Sequence, residues 1–301
     1  MFFKNAFMFQ IQIAHDETTA PALGRELSKK LLVSCAGIDK QNKGWVPCRG
    51  DDRMVYESAG HILFAMGAET KLLPASVINR FTKERVADIE AQQGYKVGRR
   101  ELKDIKEAVT EELLPRAFST RRVTFAWIDT NAGRLIIDAP SIGRAEELIE
   151  LLNKTIDGLE IKPIRTEISP VAAMTDWLAG DAAPADFTID RDLELRATGE
   201  SHATVRYAKH ALDGEEILAH IAAGKRSTRL GITWSDRISF VLTEQMQIKR
   251  IEFLDIIKEE STTLADTAEE MFELDFTLMA GELAKLITGL IDVLGGELEM
   301  K

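Results

Sequence analysis

Three groupings of side chains in this sequence have the types and spacing to do chemistry. Glu160-Ile161-Lys162 on a short β-prone run, with Asp138 closing an earlier apolar run, offers two carboxylates and a lysine, the set with which metal-dependent nucleases hold Mg²⁺ and orient a water. Lys96, Arg99, Arg100, Lys103, Lys106, Arg116, Arg121 and Arg122 form one basic cluster, and Arg206, Lys209, His210, Lys225, Arg226 and Arg229 form a second. Cations of this kind neutralise phosphates and release counterions, giving an affinity for polynucleotides that ignores base sequence and falls steeply with salt.

The first grouping has little specificity, because Glu101-Leu102-Lys103 and Asp104-Ile105-Lys106 repeat the same acid-x-Lys spacing. Other hydrolase signatures are missing. His-Glu-x-x-His, Gly-x-Gly-x-x-Gly and Gly-x-Ser-x-Gly do not occur, and Ala223-Gly224-Lys225-Arg226-Ser227 lacks the first glycine and the hydroxyl residue directly after lysine of a phosphate loop. The histidines at 15, 61, 202, 210 and 220 have no ligand spacing. Cys35 and Cys48 belong to no Cys-x-x-Cys pair. No metal and no cofactor is therefore expected, and both thiols are expected to be buried or idle.

The net charge of −11 argues against a polyanionic partner until its distribution is read. From Glu252 to Lys301 there are thirteen acidic and three basic residues, a net of −10, which leaves −1 for everything before. Between Lys96 and Arg122 eight Lys or Arg face five Asp or Glu. A basic surface is thus compatible with an acidic total. No recognition helix, zinc finger or aromatic ribonucleoprotein motif is present to read bases.

These groups need a frame. Residues 3 to 13 alternate as a half-buried strand, Glu17 to Val33 has helical spacing, Gly44-Trp45-Val46-Pro47 reads as a turn, and His61 to Met66 as a short strand. Pro74 and Ser76 open a helix interrupted at Gly94 and Gly98. In the next helix, Arg99 to Leu113, Leu102, Ile105, Val109 and Leu113 share one face, while Arg99, Lys103 and Lys106 share the neighbouring one. On its own that pattern is better explained by a solvated helix face; continuity with Arg116, Arg121 and Arg122 shifts the balance. Pro115 ends the helix near Leu113 or Leu114 and leaves Arg116 and Phe118 on the turn into a strand.

Val123 to Asp138 reads as a hairpin about Asn131-Ala132-Gly133, Ala145 to Ile156 as a helix and Leu159 to Ile164 as a strand, an order that suggests a sheet with helices on one face. Pro170 to Ala203 reads as a looser boundary. Strand Thr204 to Lys209, helix Gly214 to Ala223 and a meander over Leu230–Trp234, Ile238–Leu242 and Ile248–Phe253 follow. Last, Phe272, Phe276, Met279, Leu283, Leu286, Leu290 and Val293 make a heptad-like stripe, broad enough to be buried in its own domain. The fold class is α/β (α+β), with antiparallel or mixed sheets and flanking helices.

Phe3-Lys4-Asn5, Gly44-Trp45-Val46-Pro47, Leu73-Pro74, Leu113-Leu114-Pro115-Arg116-Ala117-Phe118-Ser119, Trp127-Ile128-Asp129-Thr130, Glu215-Glu216-Ile217 with Gly224-Lys225, and Leu278-Met279-Ala280-Gly281-Glu282-Leu283 occur in collinear order from end to end. The ordered set resembles the RdgC family of recombination-associated proteins. That resemblance implies a non-enzymatic DNA-binding protein, a closed ring of two subunits whose basic hole encircles duplex DNA, also binds single strands, ignores sequence and restrains RecA-driven recombination. It implies that Phe118 seats at the subunit contact, that Arg116 faces the DNA channel and that Lys209 lines it; His210 stands where family members carry Gln. The expected division is a central domain from 1–74 and 119–168, a helical tip inserted at 75–118, and a base domain at 169–301. No segment has the uninterrupted apolar length of a membrane span, so a cytoplasmic location is expected; the resemblance implies association with the nucleoid.

Overall fold

The computed structural model describes residues 2–12, 19–50, 52–180, 182–199, 202–212, 214–254 and 267–298. Ile13, His15, the helix start expected at Glu17, and Asp255, Glu259, Glu260, Asp266 and Glu299 of the acidic segment lie outside the described residues.

Two sheets organise the molecule, and every pairing between their strands is antiparallel. The first contains β1 (Phe7–Gln12), β2 (Gln41–Val46), β3 (Val55–Ser58), β4 (His61–Lys71), β5 (Ser119–Asp129), β6 (Arg134–Ile137) and β7 (Glu160–Pro163), in the spatial order β2, β4, β5, β6, β1, β7, with β3 end to end with β2 along β4. Helices α1 (Ala20–Leu27) and α4 (Ile142–Thr155) cover one face.

The alternation of a strand's side chains decides what each face meets. Ile62, Phe64 and Met66 of β4, Phe7, Phe9 and Ile11 of β1, and Ala126 and Ile128 of β5 join Leu23, Leu27, Leu148 and Leu152 in one core. The intervening Leu63, Ala65, Met8 and Trp127 belong to a second core on the opposite face. Ile62 to Met66 is apolar at every step because both faces are covered. Burying each of the larger side chains among them favours the fold by about 1.5–3 kcal/mol.

What covers the opposite face is the second sheet and the last helix. That sheet runs β12 (Ile248–Phe253), β11 (Ile238–Thr243), β10 (Lys225–Trp234), β8 (Phe187–Ala197), β9 (Thr204–Tyr207). Helices α5 (Pro170–Ala179), α6 (Glu215–Ala222) and α7 (Ala268–Val293) accompany it. Phe276, Met279, Leu283, Leu286 and Leu290 of α7 share a core with Leu230, Ile232 and Leu242 of the second sheet and with Leu63 and Trp127 of the first. The heptad-like stripe is therefore internal. At the joint, Ala6 and Ile248 exchange backbone hydrogen bonds of 2.8 and 3.1 Å, and the Ile251 N–H donates to the Lys4 carbonyl at 2.9 Å.

The remaining helices, α2 (Ala75–Gln93) and α3 (Arg99–Leu113), pack on each other and bury one residue apiece, Thr82 and Val109. Along α3 the apolar face runs from exposed Leu102 to buried Val109, so its base is anchored and its start is not. Pro115 falls in the single 3-10 turn Leu114–Arg116 that ends the helix, as its missing N–H requires. No helix among the described residues is long and apolar enough to cross a membrane.

Of the antiparallel or mixed sheets expected, both are antiparallel throughout. Two expectations change. Gly44-Trp45-Val46 is the end of β2 rather than a turn; the glycine is there because the chain at Leu31–Leu32 crosses it, and a Cβ at Gly44 would meet the Leu32 nitrogen at 2.3 Å. The described residues between Pro170 and Ala203 form a helix and a strand rather than a loose boundary. Ser169 caps α5 by accepting the Ala172 N–H at 3.2 Å, with Pro170 in the first turn, and the charge run Asp190 to Arg196 lies on β8, alternating with Leu193 and Leu195 of the core.

Candidate nucleic-acid interface

Lys96, Arg99, Arg100, Lys103 and Lys106 stand along α3 and the loop before it, all exposed and none in an ion pair among the described residues. Arg116, on the turn after α3, is likewise exposed without an ion-pair partner. Phe118, two residues on, is 85% exposed, the most exposed large apolar side chain described. Its backbone is fixed although its ring is not covered: the Leu72 N–H donates to the Phe118 carbonyl at 2.7 Å, and Lys71 Nζ to the Ala117 carbonyl at 3.2 Å.

Alternation on β5 then separates Arg121 from Arg122. Arg121 donates from Nε to buried Glu69 Oε2 at 2.6 Å and from Nη2 to Ser34 Oγ at 2.6 Å, yet its side chain stays 61% exposed. The hydrogen bond from Arg121 holds the Glu69 carboxyl below the usual carboxylate range, helped by the Cys35 N–H at 3.2 Å. Arg122 turns to the α4 face, where it bonds Glu147 and approaches Thr70 Oγ1 at 3.4 Å. It is thereby engaged within the fold and removed from the row formed by the others.

On the second sheet, Glu194 of β8 lies in register between Arg206 of β9 and Arg229 of β10. Glu194 is 3% exposed and accepts three hydrogen bonds, from Thr228 Oγ1 at 2.8 Å and Arg196 Nη2 at 3.0 Å on Oε1 and from Arg206 Nε at 2.7 Å on Oε2, with Arg229 Nε 3.9 Å away as an ion-pair neighbour. Burial alone would raise its pKa; the Thr228 hydroxyl and the Arg206 guanidinium outweigh that and hold it low. Around it opens a hollow of about 190 Å³, to which Arg206, Arg229, Lys249 and Arg250 contribute four cations and Asp192 and Glu194 two anions.

Lys209 sits at this rim in a left-handed conformation, φ 55°, its N–H bonded to Asp192 Oδ1 at 3.1 Å and its amine without an ion-pair partner among the described residues. His210 packs its ring 5.3 Å from that of Tyr207, with Nδ1 2.6 Å from the Ala211 carbonyl oxygen and Nε2 3.8 Å from Glu216 Oε1. Lys225 and Arg226 lie apart from the hollow, beside the end of α6, where Lys225 Nζ is 3.1 Å from His220 Nδ1 and Arg226 Nη1 donates to the Ile221 carbonyl at 3.4 Å.

Two cations of the hollow and one beside it escaped sequence reasoning. Arg196, beside the hollow, bridges Glu194 and Glu244. Arg250 pairs with Asp192 at 3.3 Å. Lys249 has its Nζ 3.8 Å from the Phe7 ring centroid and 3.0 Å from the Pro140 carbonyl oxygen. Burial, with the nearby charge of Arg229, brings its pKa down to about 8, against a smaller opposing pull from Asp138. The legible signal was the two-residue period of Asp190, Asp192, Glu194 and Arg196, which marks a strand with one solvated face.

The acid pair of the nuclease pattern does not assemble. Glu160 is engaged with Lys162 at 2.7 Å on the edge strand β7, opposite Gln12 of β1. Asp138 follows β6 beside the start of β1, where it accepts the Asn5 N–H at 2.9 Å, and burial raises its pKa. Six strand residues separate the two levels, roughly 20 Å. Among the described residues no group of three or more His, Cys, Asp and Glu side chains is placed to hold a metal ion. Cys35 and Cys48 are buried free thiols, as expected.

By fold and surface this is a two-sheet α+β protein whose free cations suit a polyanion. Residues 1–297 match the family model described as "RdgC: Putative exonuclease, RdgC". The chain is 46% identical over 301 residues, covering 100% of both chains, to the recombination-associated protein RdgC of Janthinobacterium sp. (strain Marseille). It is 48% identical over 297 residues, 99% of both chains, to the protein of that name from Herminiimonas arsenicoxydans, and 47% over 300 residues, 99% of this chain and 98% of the other, to that of Dechloromonas aromatica. The chain belongs to the RdgC family.

Proposed function

We propose that this chain is a sequence-nonspecific DNA-binding protein that acts as a ring-shaped homodimer around duplex DNA, accepts single strands as well, and restrains RecA-dependent recombination and replication-fork repair by occupying the DNA. Within the cell it works in the cytoplasm, on the nucleoid. The observation that carries the reading is the row of exposed cations on α3 and at Arg116, unpaired in a chain whose total charge is −11. Unpaired surface cations at that density repel one another unless a polyanion meets them.

The exposed ring of Phe118 on a backbone pinned to β4 supports a role at the contact between copies, because large apolar side chains left bare in one chain commonly anchor an interface. Arg116 and Lys209 line the channel of the assembled ring. The first sheet with α1 and α4 (1–74, 119–168) is its central part, α2 and α3 (75–118) the tip, and residues 169–301 the base.

The protein acts by occupancy and not by cleavage. Duplex DNA of unrelated sequences, incubated with the protein across a salt series and then with Mg²⁺, tests this directly. Binding that is equal among sequences, steep in salt and leaves both circular and end-labelled linear DNA intact is the expected outcome. Strand shortening or nicking that disappears in Glu160→Ala would replace this reading with the nuclease one, and absence of duplex binding at low salt would end it.

A further inference from the structure

An arginine on a strand has many rotamers, and two terminal nitrogens fixed in space recognise a phosphate better than the same charge left loose. Arg206 and Arg229 flank Glu194 on three adjacent strands, and both present Nε to its Oε2, at 2.7 and 3.9 Å. Contact through Nε leaves the paired Nη groups of each guanidinium uncommitted to that carboxylate. Both side chains remain open to solvent, at 72% and 56% exposure, while the carboxylate that orients them is buried. Glu194 is itself immobilised, by the Thr228 hydroxyl at 2.8 Å and by Arg196, whose other nitrogen is held by Glu244 at 3.0 Å.

We propose that Glu194 is a positioning residue for DNA: through Arg206 and Arg229 it presets two guanidinium forks at the hollow as a seat for one backbone phosphate. The inference rests on the DNA-binding reading above and assigns a part of it to a residue of the wrong charge. A carboxylate on a DNA-facing surface repels phosphate, so removing it strengthens binding if charge is all that matters. If Glu194 instead holds the forks, removing it weakens binding.

The test is fluorescence anisotropy of the full-length protein on a mixed-sequence duplex, across a salt series. Glu194→Gln is expected to bind about tenfold more weakly at fixed salt, the loss of one charge-assisted contact, with a salt slope lower by about one. Arg206→Ala is expected to weaken binding to a similar degree, and the double variant by less than the product of the two losses, because Glu194 acts in part through Arg206. Thr228→Val changes no charge and is expected to weaken binding about threefold, because Oε1 loses one of its two donors while Arg196 still holds it; it carries the test should Glu194→Gln melt below the assay temperature. Equal or tighter binding by Glu194→Gln, or losses that multiply in the double variant, overturns the inference while leaving the DNA-binding reading in place. Failure of the unaltered protein to bind duplex at low salt overturns both.

Discussion

The two basic regions are positive in different ways. On α3 the cations stand free, and the helix carrying them buries only Val109. On the second sheet every arginine of the hollow is tied to an acid, and the strands beneath are part of the main core. Free cations supply range and salt sensitivity, since their long side chains find phosphates in many arrangements. Tied arginines supply geometry, having lost their freedom before any ligand arrives. One region is suited to capture a polyanion and the other to hold it in place.

The contrast can be broken most severely on α3. Lys96, Arg99, Arg100 and Lys103 changed together to Ala should lower the salt slope by about four and weaken duplex binding about a hundredfold near physiological salt, measured by anisotropy, with little change in melting temperature. An unchanged slope would make that row an ordinary solvated face. Next in size, Phe118→Ser should weaken self-association by about 2 kcal/mol, roughly thirtyfold, in sedimentation equilibrium. An equally stable assembly would take Phe118 out of the interface.

Single cations come third and sharpen the comparison. Arg116→Ala and Lys209→Ala should each lower the slope by about one, equally for unrelated sequences. Arg122→Ala, whose guanidinium is bound to Glu147 within the fold, should leave the slope alone and instead cost stability, about 1 kcal/mol in urea unfolding.

The smallest effect is one of pH and belongs to the hollow alone. Lys249 titrates near 8 in the native protein, below its ordinary lysine value, so its charge is lost as pH rises through 8. Duplex affinity should fall severalfold between pH 7 and 9 and do so less in Lys249→Met. Stability moves the other way, because between pH 8 and the ordinary lysine range the unfolded chain binds the extra proton, so raising pH favours the native state. A flat affinity between pH 7 and 9 would place the Lys249 amine outside the DNA contact.

Much of the frame was legible because local rules and tertiary packing agree. The existence of β1, though not the burial of its second face at Met8, needed only its own residues, as did the hairpin of β5 and β6, the stop at Pro115 and the apolar stripe of α7. Gly44 was misread because glycine marks a close crossing as readily as a turn, and the crossing chain at Leu32 is distant in sequence. The charges of β8 suggested a loop because a strand with one wet face looks hydrophilic when only its polar positions are noticed. At the candidate site, the row on α3 follows from one helix wheel. The hollow does not, since residues 194, 206 and 229 meet only once the register of three strands is set.

The hydrogen bonds between residues 4–6 and β12 carry a consequence for how the molecule is made. A stretch near the start of the chain closes the outer edge of a strand some 240 residues later, so the second sheet cannot be finished without residues synthesised first. Contacts of such long sequence separation slow folding. The two sheets are thus one cooperative unit, and a fragment carrying only the later half would emerge with an open strand edge and a tendency to aggregate.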